Sequence, residues 1–576
     1  MSATGLMFWH AGRASFTYDE TGHVQCGFYM LRHGDFERGL EHPPLIRILA
    51  GLPVAFLPLT DPETRYPQFQ KKPISVSQEQ LYGTLLIHRS PKVGPATVRI
   101  LSRSVMIGAT ALLLLLAWAW SRRLYGDAGG LLTLGLLSLT PALLGHGSLV
   151  NTDAGGALGA LAALAALTAA CRRPSAGNLA LAGLALGLAQ VCKLSNLFLY
   201  PVFAFCMAFY PGLEGKSSRF RILAFIGATA LSGLVINAAY GFQNFLPPHL
   251  LHPKDLEAYG WPKIVAWAYR WAPLPDFYLM SAGFMSYHVR EGYPAFLLGR
   301  IHPHGVWYYF PVNFILRTPV SALLAILLAA GSFRKLPMKK EEFPLALAAG
   351  SYLAILCLSR LDLGIRHMLL LYPLAAVLAG RLASPEIFWG LKRWIPAVLV
   401  LGQLAEAAWS APHFLSFYNF AVGGPGAGIR YSSDLDYGQG LKDLGRFMRE
   451  RPGAELVLSY CGTDLPEAYG LDPQELMPMG TLLHSEKINS DSPRAEFLAV
   501  SASRLQGAMD GENSFSWLKS REPMDVPGFS IRVYDITVDP ESHERLAALY
   551  ERLGQKEKSR RHQARAVALK TGKIPL

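Results

Sequence analysis

The sequence predicts a mainly helical membrane protein, a polytopic helical bundle, with a small soluble α/β domain at its C-terminal end. Two observations support this fold class. Hydrophobic residues make up 51% of the 576 residues and only 17% are charged. Apolar runs of bilayer length recur between residues 99 and 410, and short β-like runs follow. We therefore divide the chain into residues 1–98, 99–410 and 411–576.

The middle region predicts about ten spanning helices, because each apolar run has roughly the length that a bilayer demands. A long loop at 241–310, rich in Trp, Tyr and Pro, interrupts the series. Aromatic rings prefer the membrane interface, so we expect this loop to lie on the membrane and wall a cleft. The predicted spans are 101–120, 128–146, 153–170, 178–192, 195–211, 221–239, 311–331, 343–358, 367–383 and 394–410.

Cations mark every second connection, which predicts the orientation of the bundle. These loops are expected on the cytoplasmic side. The remaining loops and everything after Ser410 are then expected on the outer side. The marking residues are Arg122, Arg123, Arg172, Arg173, Lys216, Arg219, Arg221, Arg334, Lys335, Lys339, Lys340, Arg381, Lys392 and Arg393.

Residues 1–98 are predicted to form a first outer loop with juxtamembrane helices. Residues 1–16 are too short and too polar to span a bilayer, and Pro44 to Leu59, with Arg47 inside it, suits a helix at the interface. An outer segment of this size needs a signal to cross the membrane. We therefore expect a spanning helix upstream of it, which this sequence lacks. Alternatively, the first visible span inserts with its N-terminus outside.

The C-terminal region predicts an outer-side soluble domain. After a glycine-rich link it contains the β-like runs ELVLSY, FLAVSA and FSIRVYDI, and a helical pattern from about Glu541 to Leu569. We find no catalytic motif in it.

Composition excludes several functions. The net charge of +12 falls in short clusters between apolar runs, and no basic patch with aromatic residues indicates nucleic-acid binding. Six scattered cysteines without a CxxC pair argue against a zinc site; Cys26 and Cys461 could pair or remain separate thiols. His302 and His304 could bind metal, but packing or substrate contact is favoured. We predict no metal site or required cofactor and leave a divalent metal open.

Acidic residues gather in the first outer loop. Asp19 and Glu20 follow an aromatic turn, and Glu41 and His42 precede two prolines that fix the backbone. Partial burial would raise a carboxylate pKa towards the range of a general base, so Asp19 and Glu41 are candidate catalytic residues and Glu20 and His42 candidate substrate contacts. The alternative is that these acids are simply solvated.

Cations on the same side form a second candidate set, comprising Lys193, Arg317, Arg360, Arg366 and His367. Arginines at headgroup depth indicate a phosphate, which they bind in bidentate fashion. A structural acid such as Asp362 could instead pair with Arg317. Asp153 is expected to cap the span that follows it.

Outer carboxylates and cations beside lipid suit the transfer of a sugar from a polyprenyl phosphate, whose ionised leaving group needs cations rather than a proton. A single displacement would invert the anomeric centre. Two alternatives remain open: a transporter or flippase of a lipid-linked saccharide, and a non-catalytic binding or assembly subunit. No repeated half supports the transporter.

Several motifs resemble bacterial protein O-mannosyltransferase-like proteins, which are membrane glycosyltransferases of the GT-C fold related to the lipid A aminoarabinose transferases. The resemblance covers most of residues 17–411, with a further stretch beyond. It is carried by YDE, GDFERGLEHPPL, SLVNTDAGGAL, GLALGLAQVCKLSNL, HPHGVWYYFPVNFILRTP, LDLGIRHMLLLYP and PHFLSFYNFAVGGPGAGIRYSSDLDYGQGL.

The resemblance implies roles for particular residues. Asp19 matches the family's acidic residue in the first outer loop, the catalytic base or acceptor-activating group, and Glu41 matches the acid before a basic or His residue and two prolines. Lys193 and Arg366 match cations near the lipid-linked phosphate, and Arg317 matches less closely. The family also implies a bacterial inner (plasma) membrane enzyme and a protein, lipid or glycan acceptor. This sequence departs from the family pattern in one respect: family members place a spanning helix before the first acidic residue, and this sequence does not show one.

Overall fold

A computed structural model of the chain describes residues 2–65, 76–247, 249–251, 256, 260–388, 390–432, 434–477, 485–507 and 514–572. The predicted fold class is confirmed, because helices dominate and a small sheet lies near the C-terminus.

The α-helices are numbered in chain order. They are α1 (Ala3–Arg13), α2 (Glu20–His33), α3 (Pro44–Ala55), α4 (Pro62–Arg65), α5 (Val76–His88), α6 (Pro95–Ser138), α7 (Pro141–His146), α8 (Thr152–Arg172), α9 (Ala176–Cys192), α10 (Leu199–Phe209), α11 (Ser218–Ala239), α12 (Lys263–Trp271), α13 (Asp276–Glu291), α14 (Tyr309–Arg317), α15 (Val320–Ser332), α16 (Phe343–Leu358), α17 (Leu371–Ala379), α18 (Ile395–Ser410), α19 (Leu441–Arg449), α20 (Ala502–Gln506), α21 (Pro540–Arg552) and α22 (Lys556–Lys570).

The chain is a multi-pass membrane protein. Within the described ranges, four helices are long and apolar enough to cross a bilayer, or five if the bent pair α14 and α15 is one span. Shorter apolar helices such as α9 coincide with other predicted runs. The total of about ten spans stays a prediction.

Two predicted spans are broken by their sequence. The run 128–146 is divided, since α6 ends at Ser138 and α7 is separate, and α6 itself is interrupted at Gly126, whose φ is 77°. The run 311–331 bends by 114° between α14 and α15. The cause is Pro319, which lacks an amide hydrogen and keeps Thr318 in an extended conformation.

The N-terminal helices are packed tightly. A Cβ on Gly27 of α2 would lie 1.9 Å from the carbonyl oxygen of Arg47 in α3, so only glycine allows this approach. Leu52 and Phe56, at the other face and the end of α3, are exposed. An interfacial position for α3 stays a prediction.

The long loop forms a cover at one end of the bundle. It contains α12, α13 and a hairpin of β1 (Ala295–Leu297) and β2 (Arg300–His302). Tyr269, Phe277 and Tyr278 pack with Val191 and Ile236 at the ends of α9 and α11.

The C-terminal domain has a four-stranded sheet in the order β4-β3-β5-β6. β3 is parallel to β4 and β5, and β6 is antiparallel to β5. The three predicted runs form β3, β5 and β6, but the predicted helical pattern is divided into α21 and α22 around Gly554, whose φ is 72°. The strands are β3 (Ala454–Ser459), β4 (Gln474–Glu475), β5 (Ala495–Ser501) and β6 (Ile531–Asp535).

The bundle has two chemically distinct ends. Helix α8 carries Asp153 at its start and Arg172 at its end, about 30 Å apart at 1.5 Å per residue. Arg172 Nε lies 2.9 Å from Glu341 Oε1, which joins two loops predicted to share one side. Asp153 therefore lies at the opposite end.

Candidate functional site

Asp19 and Arg366 form an ion pair at the Asp153 end of the bundle. Arg366, in the 3-10 helix Ile365–Met368, donates from Nη1 to Asp19 Oδ2. The Arg366 side chain is 19% exposed and the Asp19 side chain is 28% exposed. Burial raises the pKa of Asp19, but the charge and hydrogen bond of the Arg366 guanidinium outweigh it and the net shift is downward. Asp19 is therefore an ionised carboxylate within reach of solvent.

Glu41 lies on a turn that its neighbours fix. The Gly39 amide donates to Glu79 Oε1 at 2.6 Å, and the Gly39 carbonyl accepts from Arg47 Nη1. Burial, followed by the charges of Asp19 and Glu79, raises the pKa of Glu41 to about 7. This carboxyl group exchanges its proton near neutral pH.

His42 lies over His23, with ring centroids 5.3 Å apart. Arg47 Nε donates to His23 Nδ1 at 3.2 Å, which puts the His23 proton on Nε2. Burial and the charge of Arg47 lower the pKa of His23 to about 3 and that of His42 well below its usual range. Both rings are neutral at physiological pH.

Lys193 and Asp153 form a second ion pair, with both side chains buried. Asn151, not Asp153, caps α8, because Asn151 Oδ1 accepts from the Asp153 amide at 3.0 Å. The capping prediction for Asp153 is therefore wrong. The Asp153 carboxylate pairs with Lys193 instead, and its negative charge raises the pKa of both Asp19 and Arg366.

Arg366 Nε and His367 Nε2 are buried and have no hydrogen-bond partner among the described residues. The Arg366 guanidinium also lies 5.8 Å above the Tyr437 ring. The structure thus brings five predicted site residues together with Asp153, and we call these six residues the polar cluster. Its members are Asp19, Glu41, Asp153, Lys193, Arg366 and His367.

Glu20 has a structural environment, which argues against the predicted substrate contact. It is fully buried and accepts from Arg103 Nε at 2.9 Å and Nη2 at 2.6 Å. The backbone amides of Thr17 and Val150 donate to it at 2.7 and 2.9 Å. These four donors satisfy both carboxylate oxygens.

Arg317 is also held by structural contacts, which argue against its predicted role as a substrate contact. It is buried and pairs with Asp434, with Nη1 2.6 Å from Oδ2, rather than with Asp362. Nε donates to the Phe417 carbonyl at 3.1 Å, and further carbonyls accept from its Nη atoms. From its position in the span, Arg317 therefore anchors the segment that follows α18.

Arg360, His302 and His304 lie outside the polar cluster. The Arg360 side chain is exposed and donates to the Arg290 carbonyl at 3.4 Å, so its predicted substrate contact is not supported. His302 packs edge-on against Tyr308 with centroids 6.0 Å apart. Across the described ranges, no three His, Cys, Asp or Glu residues converge as metal ligands. Cys26 and Cys461 are buried and not joined by a disulfide.

Residues 98–239 match the family model described as dolichyl-phosphate-mannose-protein mannosyltransferase. The matched segment contains Arg103, Asp153 and Lys193. The chain is a membrane glycosyltransferase related to the protein O-mannosyltransferases. The match, which spans less than half of this glycosyltransferase, confirms the resemblance that the motifs predict.

Solved structures resemble the glycosyltransferase at low identity. One is ArnT from Cupriavidus metallidurans bound to undecaprenyl phosphate, with 12% identity, a TM-score of 0.43 and coverage of 92% of this chain and 96% of that chain. Another is the oligosaccharyltransferase AglB from Archaeoglobus fulgidus, in complex with an inhibitory peptide and a dolichol-phosphate. It has 14% identity, a TM-score of 0.42 and coverage of 76% of this chain and 54% of that chain. No curated protein sequence matches the chain.

The sequence did not single out Glu79, His23 or Tyr437 as parts of the glycosyltransferase site. Each reaches the cluster through tertiary packing; His23 and Glu79 lie outside the quoted motifs, whereas Tyr437 lies in the motif that ends in DYGQGL. Arg47 was the one indication in the sequence that polar groups gather here, because a cation inside an apolar run needs a polar partner.

Proposed function

We propose that the chain moves a sugar from a polyprenyl-phosphate donor to a hydroxyl of a protein, lipid or glycan at the outer face of the inner (plasma) membrane, with inversion. One observation carries this proposal. The Asp19–Arg366 ion pair is partly open to solvent and lies beside two nitrogens without partners.

Arg366 and Lys193 suit a phosphate, because guanidinium and ammonium groups bind its oxygens strongly. Each cation is matched by a carboxylate, Asp19 for Arg366 and Asp153 for Lys193. A donor phosphate would compete with Asp19 for Arg366 and use the free Arg366 Nε. Donor binding thus releases Asp19 from its partner.

Release changes the chemistry of Asp19. Without the full charge of Arg366, the pKa of Asp19 rises and the carboxylate becomes a better base. It takes the proton of the acceptor hydroxyl while the acceptor oxygen bonds to the anomeric carbon. The bond from that carbon to the phosphate oxygen breaks, and its electron pair leaves with the lipid phosphate, which Arg366 and Lys193 stabilise.

Glu41 is the proposed final acceptor of this proton. Its pKa of about 7 lies above that of Asp19, so the proton moves to it favourably. This step restores the ionised Asp19 for the next turnover.

The surroundings favour a lipid substrate. Helix α12 exposes Ile264, Trp267 and Trp271 at 70%, 59% and 73%, at helical spacings of three and four residues. Such a face suits the membrane interface. The distribution of loop cations supports the outer side.

The test uses membranes containing the chain, radiolabelled polyprenyl-phosphate sugars and the variant Asp19→Asn. Wild type should label an acceptor, and the variant should lose about 10²- to 10⁴-fold in turnover while still binding donor. Asp127→Asn is the matched control, because Asp127 is 76% exposed and pairs with Arg122 on the predicted cytoplasmic side. Equal turnover in wild type and Asp19→Asn would contradict the proposal, and lipid translocation without transfer would favour a transporter.

A further inference from the structure

One loop of the C-terminal domain reaches the segment before Asp19. Asp464, which follows β3, is only 3% exposed. Its Oδ2 accepts from the Phe16 amide at 2.7 Å and from the Tyr469 hydroxyl at 2.5 Å. Its Oδ1 lies 2.8 Å from His88 Nε2 in α5. A buried carboxylate with three such neighbours fixes the Phe16 backbone.

Thr463 holds the next part of the same segment. Its hydroxyl donates to the Tyr18 carbonyl at 3.0 Å and lies 3.2 Å from Thr21 Oγ1. The Thr463 carbonyl accepts from Thr84 Oγ1 at 3.0 Å. The loop therefore binds residues on both sides of Asp19.

The link after α18 holds the opposite edge of the segment. The Tyr18 amide donates to the Tyr437 carbonyl at 2.9 Å, and the Ser15 amide donates to the Gln439 carbonyl at 3.1 Å. Ser15 Oγ donates to the Gly438 carbonyl at 2.8 Å. The backbone leading to Asp19 is thus bound on two sides by residues that follow the membrane domain.

We propose that Asp464 is a positioning residue, through which the C-terminal domain holds Asp19 in place against Arg366. The inference rests on the proposed function, in which Asp19 receives the acceptor proton. A catalytic group displaced by about 1 Å costs on the order of 100-fold in rate, so a rigid backbone before Asp19 matters. The soluble domain then serves catalysis without contributing a reacting group.

The experiment compares Asp464→Ala and Thr463→Val with wild type. Thr463→Val keeps the side-chain size and removes the bond to Tyr18, so it tests the inference even if Asp464→Ala folds poorly. Both variants should lower kcat, Asp464→Ala by about 10- to 100-fold, without raising donor KM. Asp472→Asn is the control, because Asp472 belongs to the same domain and its side chain is 78% exposed.

Two further measurements separate positioning from a general loss of structure. Looser tethering should let Arg366 leave Asp19 more easily, so polyprenyl phosphate without a sugar should bind more tightly. Amide hydrogen exchange should accelerate in residues 16–21 and not in the sheet. A fall in kcat without both changes would overturn the inference, as would unchanged kcat. If wild type transfers no sugar, the proposed function fails, while exchange and lipid binding still decide whether Asp464 holds the segment.

Discussion

Asp19 and Arg366 are 347 positions apart in the chain, yet they form one ion pair at the end of the membrane domain. Because both side chains retain some exposure, an incoming anion can compete with Asp19 for Arg366. The pair therefore couples donor binding to the basicity of Asp19 in the proposed mechanism.

Glu41 should give the reaction its pH dependence. Its carboxylate must be ionised to receive the proton, and its pKa is about 7, so kcat/KM should fall as the pH drops through about 7. Glu41→Gln should be slower and should lose this dependence, which a pH–rate profile measures. An unchanged profile in Glu41→Gln would remove Glu41 from the proton path.

Glu41→Gln should also raise stability at alkaline pH. The folded pKa of about 7 lies above the ordinary value of 4.5, so ionisation of Glu41 destabilises the fold as the pH rises between these values. The variant should gain up to about 3 kcal/mol at pH 8 and nothing below pH 4, at 1.36 kcal/mol per pKa unit. Thermal unfolding in detergent at both pH values provides the measurement. An equal gain at both would indicate better packing instead.

Lys193 and Asp153 should behave as a coupled pair. Lys193→Met leaves the Asp153 carboxylate buried without its partner, which typically costs 3–5 kcal/mol, about the largest effect expected of a single change here. Adding Asp153→Asn should restore much of the stability but not donor binding. Unfolding and donor titration of the single and double variants test this, and full recovery of donor affinity in the double variant would contradict a phosphate role for Lys193.

Glu20 should matter for stability and not for donor affinity. Glu20→Gln leaves Arg103 buried without its charge partner, at a cost of about 3–5 kcal/mol. Donor KM of the folded fraction should equal that of wild type. Glu291→Gln is the control, because Glu291 is 50% exposed. A raised KM in Glu20→Gln alone would restore the original substrate-contact prediction.

Local pattern was enough to predict much of the fold. Hydropathy located the apolar helices, and alternating runs located β3, β5 and β6. The break at Pro319 was missed because an apolar run continues through it, although proline itself is a signal. The composition gave no means of counting crossings made by short helices.

The sequence brings site residues near loop ends together correctly in space, but it does not show which charged residues are buried against a partner. Asp19, Glu41 and Arg366 were expected at one end and lie there. The ion pairs of Glu20 and Arg317 were not foreseen because their partners, Arg103 and Asp434, are distant in the chain. Only tertiary packing shows that a buried charge is already matched.

The affinity of polyprenyl phosphate, without a sugar, tests the central claim most directly in wild type, Asp19→Asn and Arg366→Gln. Competition between Asp19 and phosphate for Arg366 predicts opposite effects: tighter binding in Asp19→Asn and weaker binding in Arg366→Gln. Weaker binding in Asp19→Asn, or unchanged binding in Arg366→Gln, would contradict the account.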